Sequence, residues 1–475
     1  MYMELRRELG LKEVVATVVT AVIGGGLFLS TIQIQSKVPV GSAIIFSYII
    51  AAFPAFFMAL CYAVLSSALP SSGGEYVFIS RIIDPFIGFI ATWARWFAMI
   101  ATIAAMAVGD MVLINNFFDI LNMHSVSSFI SSNITAISII LVVVFLLVNY
   151  LGVKTFGRIQ VAMFVLLIIG ILSFILVGLP DVSMSNIEYS MHINLSDIAK
   201  ASSLIFFSYL GFAAIANAGG EIKNPEKTLP RGIVISMFMI AAIYILVALI
   251  TYGSMSPDFY SSYDFSSGSV PEAASHVLPP LIAIVVAFAG SIAIISDINP
   301  NILASSRLSF AWAKDGIVPQ KLAELNPYGV PKWTLLVNGV MAISIILLAK
   351  EFMNAVMMIN MAILLIYIAI STSTLILPYK HPEIYENAKF KFRGMWVVAL
   401  LGMLTSALFF AYILRLEGAM PGFIFLLAWT GIGSGVYVLT QESHRMHWRL
   451  FKEEKKGKEL IDREIVSRLL GKKHQ

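Results

Sequence analysis

Residues 14–34 read VVATVVTAVIGGGLFLSTIQI, an apolar run with three consecutive glycines, Gly24, Gly25 and Gly26, at its middle. Each glycine in a helix interior costs about 1 kcal/mol relative to alanine. In hydrocarbon an unmade backbone hydrogen bond costs more still, so an unbroken helix is the default for such a run. A bilayer-length segment with three adjacent glycines is expected to break there and to offer its freed amides and carbonyls to a bound ligand. The competing explanation is close packing, because small residues also let membrane helices approach one another.

The rest of the chain has the same character. Of 475 residues, 58% are hydrophobic and 13% charged, with a mean hydropathy of +0.85; soluble domains are about 25% charged. Apolar blocks recur at roughly 20 residues, the length that crosses a ~30 Å hydrocarbon core as a helix. Twelve spans are read, at 13–36, 41–69, 86–118, 129–151, 158–179, 199–218, 231–254, 278–304, 333–349, 354–377, 395–414 and 420–440. The expected fold class is therefore an all-α polytopic membrane protein. The flanks are too short for a catalytic domain, and the start lacks a signal-peptide cleavage pattern, so the first span is expected to be retained. The single cysteine, Cys61, lies inside the second span and is expected to be a buried thiol. No disulfide-linked partner and no nucleic-acid partner are expected, which leaves a monomer or a homodimer in a lipid bilayer.

Lysine and arginine set the expected orientation. With the N-terminus inside, 27 of the 32 fall on inner segments, four (Lys37, Lys200, Lys350 and Arg415) on outer ones, and Arg95 within a span. Both termini are thus expected in the cytoplasm, with the protein in the cell membrane. The charged tail 441–475 contains ELIDREIVSRLL at 459–470, whose apolar residues share one helical face. It reads either as an inner-leaflet surface helix or as a solvated tail.

A second interruption appears in span six, at Phe207-Ser208-Tyr209-Leu210-Gly211 and on through Asn217-Ala218-Gly219-Gly220. Breaks in spans one and six are the sequence pointer to a repeat with a site near the membrane midplane. Amides opening the second half of span one, near Gly25, suit a carboxylate. Carbonyls near Val22-Ile23 and from Phe207 to Leu210 suit an ammonium group. An α-amino acid needs both.

Four segments carry a family resemblance: Ile23-Gly24-Gly25-Gly26-Leu27-Phe28; residues 70–80 (PSSGGEYVFIS); residues 207–230 (FSYLGFAAIANAGGEIKNPEKTLP); and residues 305–319 (SSRLSFAWAKDGIVP). In this order and at these span numbers, the chain resembles the amino acid–polyamine–organocation superfamily of permeases over nearly its whole length. The resemblance implies a LeuT-type 5+5 inverted repeat with broken helices 1 and 6 (repeats 13–179 and 199–377), two further helices at 395–440, and secondary transport by alternating access. To the expected break residues Ile23, Gly24, Gly25, Gly26, Ser208, Leu210 and Gly211, the resemblance adds Phe207, capping the substrate, and Asn301, facing it. Two departures stand out. Ala213 occupies a position where many members carry a glutamate, and span five reads as apolar, with Ile168 about where some proton-coupled members place a lysine.

Ionisable residues within spans are functional suspects. Arg95 and Asp297 lie at similar depth, about 14 Å and about 12 Å from the inner ends of their spans at 1.5 Å per residue. Asp110, roughly 36 Å from Phe86, is read as an outer-interface residue. Asp297 is the candidate coupling group. Left unpaired in low-dielectric surroundings it would take up a proton, and with neighbouring oxygens it would hold a sodium ion. The alternative is a fixed Asp297–Arg95 ion pair. Glu221, Lys223 and Asn224-Pro225 read as the end of span six with a possible inner gate, and Trp93 and Trp96 as packing. The seven histidines lack metal-ligand spacing, and neither a metal nor an organic cofactor is expected beyond a coupling H+ or Na+. No convergent catalytic set lies in the spans, which argues against an enzyme, and no filter motif suggests a channel. The expected function is transport of amino acids, neutral ones in preference to basic ones, by symport or exchange. Polyamine or organic-cation transport, or a sensor on the transporter fold, are the alternatives.

Overall fold

The computed structural model describes residues 5–266, 268–348, 352–415 and 419–440. The tail segment 459–470 and the Asp110 side chain lie outside the described residues.

The glycine run breaks the first span as expected. Helix α1 (Leu11–Val22) stops, Ile23 turns to an extended conformation, and the chain resumes as α2 (Gly25–Phe28) and α3 (Ser30–Lys37). Then come α4 (Ile44–Ala68), the short α5 (Gly74–Ile82) and the long α6 (Pro85–Ile120). Helix α6 starts sharply because Pro85 needs no amide partner and the Asp84 carboxylate accepts from the Phe86 and Ile87 amides at 2.8 and 3.3 Å. Helices α7 (His124–Ser132) and α8 (Ile134–Tyr150) meet at an 83° bend, followed by α9 (Val153–Gly178) and α10 (Met184–Ser190).

The second half repeats the theme. Helix α11 (Leu195–Phe206) gives way to 3-10 turns over Phe207–Tyr209 and Phe212–Asn217, with Gly211 between them at φ +117°, a conformation only glycine adopts readily. Next are α12 (Pro225–Ser254), α13 (Pro257–Ser262), α14 (Val270–Val277), α15 (Pro280–Lys314), α16 (Lys332–Leu348), α17 (Phe352–Lys380), α18 (Pro382–Asn387), α19 (Met395–Ile413) and α20 (Ala419–Leu439). Among the described residues, nine helical segments are long and apolar enough to cross a membrane, ten when the bent α7–α8 pair is included. The shorter apolar α16 and the broken α1–α3 run bring this to the twelve spans read from sequence.

Helix α15 is the axle of the molecule: every residue from Ile298 to Ala313 is buried. It packs against α6, α9 and α1. The fifth span is not wholly apolar, contrary to the sequence reading. Gln160 of α9 is fully buried and ties three elements together, donating to Thr20 Oγ1 of α1 and to the Ser296 carbonyl of α15 (3.0 Å) while accepting from Asn299 Nδ2 (2.7 Å). Asn149 of α8 extends the chain by donating to Asn299 Oδ1 at 2.7 Å. A lone glutamine amid apolar neighbours is easily passed over in sequence. Ile168 merely packs against the core.

Candidate functional site

The two breaks face each other and are stitched by side chains from neighbouring helices. The Tyr244 hydroxyl of α12 lies 2.9 Å from the Val22 carbonyl oxygen and 2.7 Å from that of Ser208. Its single proton serves one of them at a time, so an acceptor remains for another donor. Ser208 Oγ donates to the Gly26 carbonyl at 3.1 Å, and Tyr48 OH approaches the same oxygen at 3.4 Å. Gly25 and Gly26, as the opening residues of α2, hold amides for which that helix supplies no acceptor.

Between the breaks lies a cavity of about 460 Å³. Gly24, Gly25, Gly26, Phe207, Ser208, Leu210, Gly211, Asp297, Asn301 and Arg95 all line it. Ile23 does not: it is fully buried in the hydrophobic core, because the extended turn at this residue points its side chain away from the gap. Sequence reasoning missed Gln33, Thr102 and Asn360, which add polar groups to the walls. Thr102 and Asn360 are single polar residues in apolar stretches and Gln33 is one of several polar residues in α3, so only the fold shows which way each faces. Trp93 and Trp96 lie outside the lining. Trp93 stacks on Trp429 with centroids 5.2 Å apart, and Trp96 donates to Asn338 Oδ1 at 3.0 Å.

The glycines of the two breaks divide into two kinds. A methyl group added at Gly26 would stand 2.6 Å from Ser208 Cβ, and one at Gly211 would stand 2.0 Å from the Ala21 carbonyl oxygen. These two glycines let the broken spans touch. At Gly24 and Gly25 the nearest atoms would be 3.8 and 3.7 Å away, ordinary contacts, so these two leave room on the cavity side. Close packing thus accounts for Gly26 of the triplet, and not for Gly24 or Gly25.

The charges are not partitioned as the alternative of a fixed Asp297–Arg95 pair would have it. Arg95 Nε lies 3.5 Å from Glu75 Oε1 on α5, and among the described residues no lysine or arginine nitrogen comes within 4.0 Å of the Asp297 carboxylate. Asp297 Oδ1 accepts from Asn301 Nδ2 at 2.9 Å, one helical turn on. Fully buried Glu75 also accepts from Tyr62 OH (2.7 Å) and Asn217 Nδ2 (3.1 Å). Depth along a helix placed Arg95 and Asp297 at one level, but it could not show that α5 folds back to supply a nearer carboxylate.

Outside the cavity lining, residues in or beside the quoted sequence motifs are joined by polar contacts. Arg307 forks onto Glu221 through Nε (2.8 Å) and Nη2 (2.7 Å), with both side chains about 1% exposed. Arg81 reaches Asp315 at 2.8 Å, and Tyr76 OH donates to the same carboxylate at 2.6 Å. The Gly73 amide donates to the Asn217 carbonyl at 2.8 Å, and the Leu9 amide to the Glu221 carbonyl at 3.0 Å. A buried pair of this kind is costly to break from one side, because the remaining charge is stranded.

An all-helical, multi-pass membrane architecture with two broken spans facing a central cavity is the arrangement that secondary transporters use. The sequence comparisons specify the family. The profile described as amino acid permease matches residues 9–436, and the chain belongs to that family within the amino acid–polyamine–organocation superfamily. Its relatives include the "Methylthioribose transporter" of Bacillus subtilis, 27% identical over 440 residues (90% of this chain, 91% of the relative). The "Branched-chain amino acid permease BcaP" of the same organism is 26% identical over 455 residues (93% and 94%). The "Cationic amino acid transporter 4, vacuolar" of Arabidopsis thaliana is 25% identical over 404 residues (80% and 64%).

Proposed function

We propose that this permease moves a neutral α-amino acid across the cell membrane by alternating access, with 13–179 and 199–377 as inverted repeats and Asp297 as the cation-coupling group. The observation that carries the reading is the meeting of freed amides, freed carbonyls and an unpaired carboxylate in one cavity. The substrate carboxylate takes the amides of Gly24 to Gly26 at the positive end of α2, and its ammonium group takes the acceptor left over at Val22 and Ser208. Phe207 covers the bound molecule. Arg95 is held nearer Glu75 than Asp297, and the Asp297 charge is balanced by a proton or a sodium ion in the loaded state. Opening to the cytoplasm requires the Glu221–Arg307 and Arg81–Asp315 layers to part. The Lys/Arg bias supports a cytoplasmic position for that layer and for both termini.

The test is counterflow in proteoliposomes with a panel of labelled amino acids, repeated under imposed pH and sodium gradients. Asp297→Asn should abolish gradient-driven accumulation while leaving counterflow intact; unchanged accumulation removes Asp297 from coupling. The unpaired carboxylate also favours a second reading, in which Asp297 binds a cationic side chain directly. That reading requires Asp297→Asn to lose counterflow of basic substrates.

A further inference from the structure

A second cavity lies on the outer surface of the helix bundle, between α8 and α16. The two helices touch where Leu146 meets Gly339, a contact so close that an added methyl group at Gly339 would stand 2.4 Å from Leu146 Cδ1. Around this crossing and toward Tyr150 and Lys332 lies a groove of about 280 Å³, with Val143, Leu147 and Leu336 on its walls and Tyr150, Trp333 and Lys332 at one end. The wall residues are exposed, Leu147 at 58% and Leu336 at 54%. From Val143 to Tyr150 the groove runs about 10 Å along α8 at 1.5 Å per residue.

The end of the groove is polar and carries a definite charge. Lys321 Nζ sits 4.6 Å from the Trp333 ring centroid and Lys332 Nζ 5.5 Å from it. Glu324 accepts from Trp333 Nε1 at 3.0 Å and lies 3.2 Å from Lys332 Nζ. The Trp333 hydrogen bond, and after it Lys332, hold the Glu324 carboxyl below its ordinary range, so it is ionised at neutral pH. Two lysines against one carboxylate leave one positive charge. Aromatic residues beside lysines at the end of an apolar band mark the membrane interface.

We propose that this groove holds one anionic phospholipid, with an acyl chain between α8 and α16 and its phosphate at Lys321, Lys332 and Trp333. A phosphodiester supplies the single negative charge the cluster lacks, and the apolar walls match a hydrocarbon chain. The Lys/Arg bias puts this end of the groove at the cytoplasmic leaflet, where anionic lipids reside. A second copy of the chain fits less well: a two-fold contact through this patch would set one lysine cluster against its like. The proposal does not depend on which solute the central cavity carries.

Native mass spectrometry of the full-length protein in mild detergent, with phosphatidylglycerol or phosphatidylcholine added, tests it. The parent should retain one phosphatidylglycerol per chain in preference to phosphatidylcholine. Lys321→Ala and Lys332→Ala should each weaken retention about fivefold, the effect of one basic residue at a membrane surface. Leu147→Trp, which fills the groove without touching the charges, should reduce retention of both lipids. Equal retention of the two lipids, retention unaffected by these variants, or a dimer cross-linked through Leu147→Cys that excludes lipid would each overturn the proposal.

Discussion

Replacing the glycines of the two breaks one at a time separates ligand binding from helix packing. At Gly26 a methyl group would press on Ser208 Cβ at 2.6 Å and Cα at 2.8 Å, and at Gly211 on the Ala21 carbonyl oxygen at 2.0 Å. These obstacles are backbone atoms or a Cβ fixed to the backbone, so the facing segments must move apart. Overpacking of this kind costs about 1–3 kcal/mol. At Gly211 the positive φ adds about 1–2 kcal/mol for an L residue. At Gly25 the neighbours are the flexible side-chain ends of Leu29 and Ile294 at 3.7 and 3.8 Å, so Gly25→Ala should leave the melting temperature in detergent unchanged. Gly25→Leu should also fold, but its side chain would bar a carboxylate from the α2 amides. Hydrogen bonds to a charged group are worth about 1.5–3 kcal/mol, so substrate affinity should fall about 10- to 150-fold. Melting curves with and without amino acid, together with radioligand binding, measure both quantities on the same preparations. Normal binding by Gly25→Leu, or a loss of stability in Gly25→Ala equal to that in Gly26→Ala, would refute the division of the triplet.

The buried ion pairs offer two further tests. Arg307→Ala strands the buried Glu221 carboxylate and should destabilise the protein by about 3–5 kcal/mol, seen as a lowered melting temperature, whereas removing both charges with Glu221→Leu and Arg307→Met should recover much of the loss. Glu75→Gln frees the Arg95 charge to neutralise Asp297; gradient-driven uptake should then fall while counterflow persists, and unaltered uptake would show that the Arg95–Glu75 pairing has no bearing on Asp297.

Much of the architecture follows from short-range rules. Span length reports the thickness of hydrocarbon, three adjacent glycines report a helix that cannot continue cheaply, and the lysine and arginine count reports a side. Those rules placed the breaks at Gly24–Gly26 and Leu210–Gly211, where the structure has them, and brought every proposed site residue except Ile23 to one cavity. Ile23, read from sequence for its carbonyl, packs its side chain into the core, and backbone position does not say where a side chain points once a helix has stopped. Span five was read as apolar because Gln160 gives no periodic signal; its partners Thr20, Ser296 and Asn299 lie on other helices.

Residue order alone therefore governs local matters: the number of membrane-length spans, where the backbone gives way, and which chemical groups the breaks release. Tertiary structure alone decided the pairings. Arg95 goes to Glu75 rather than Asp297 because α5 folds back against α6 and brings a nearer carboxylate. Gly26 and Gly211 became contact glycines while Gly24 and Gly25 have only ordinary neighbours, because the two broken spans cross at one side of the triplet. Charge and volume are settled by whichever atoms arrive from distant parts of the chain, and sequence spacing carries no record of that arrival.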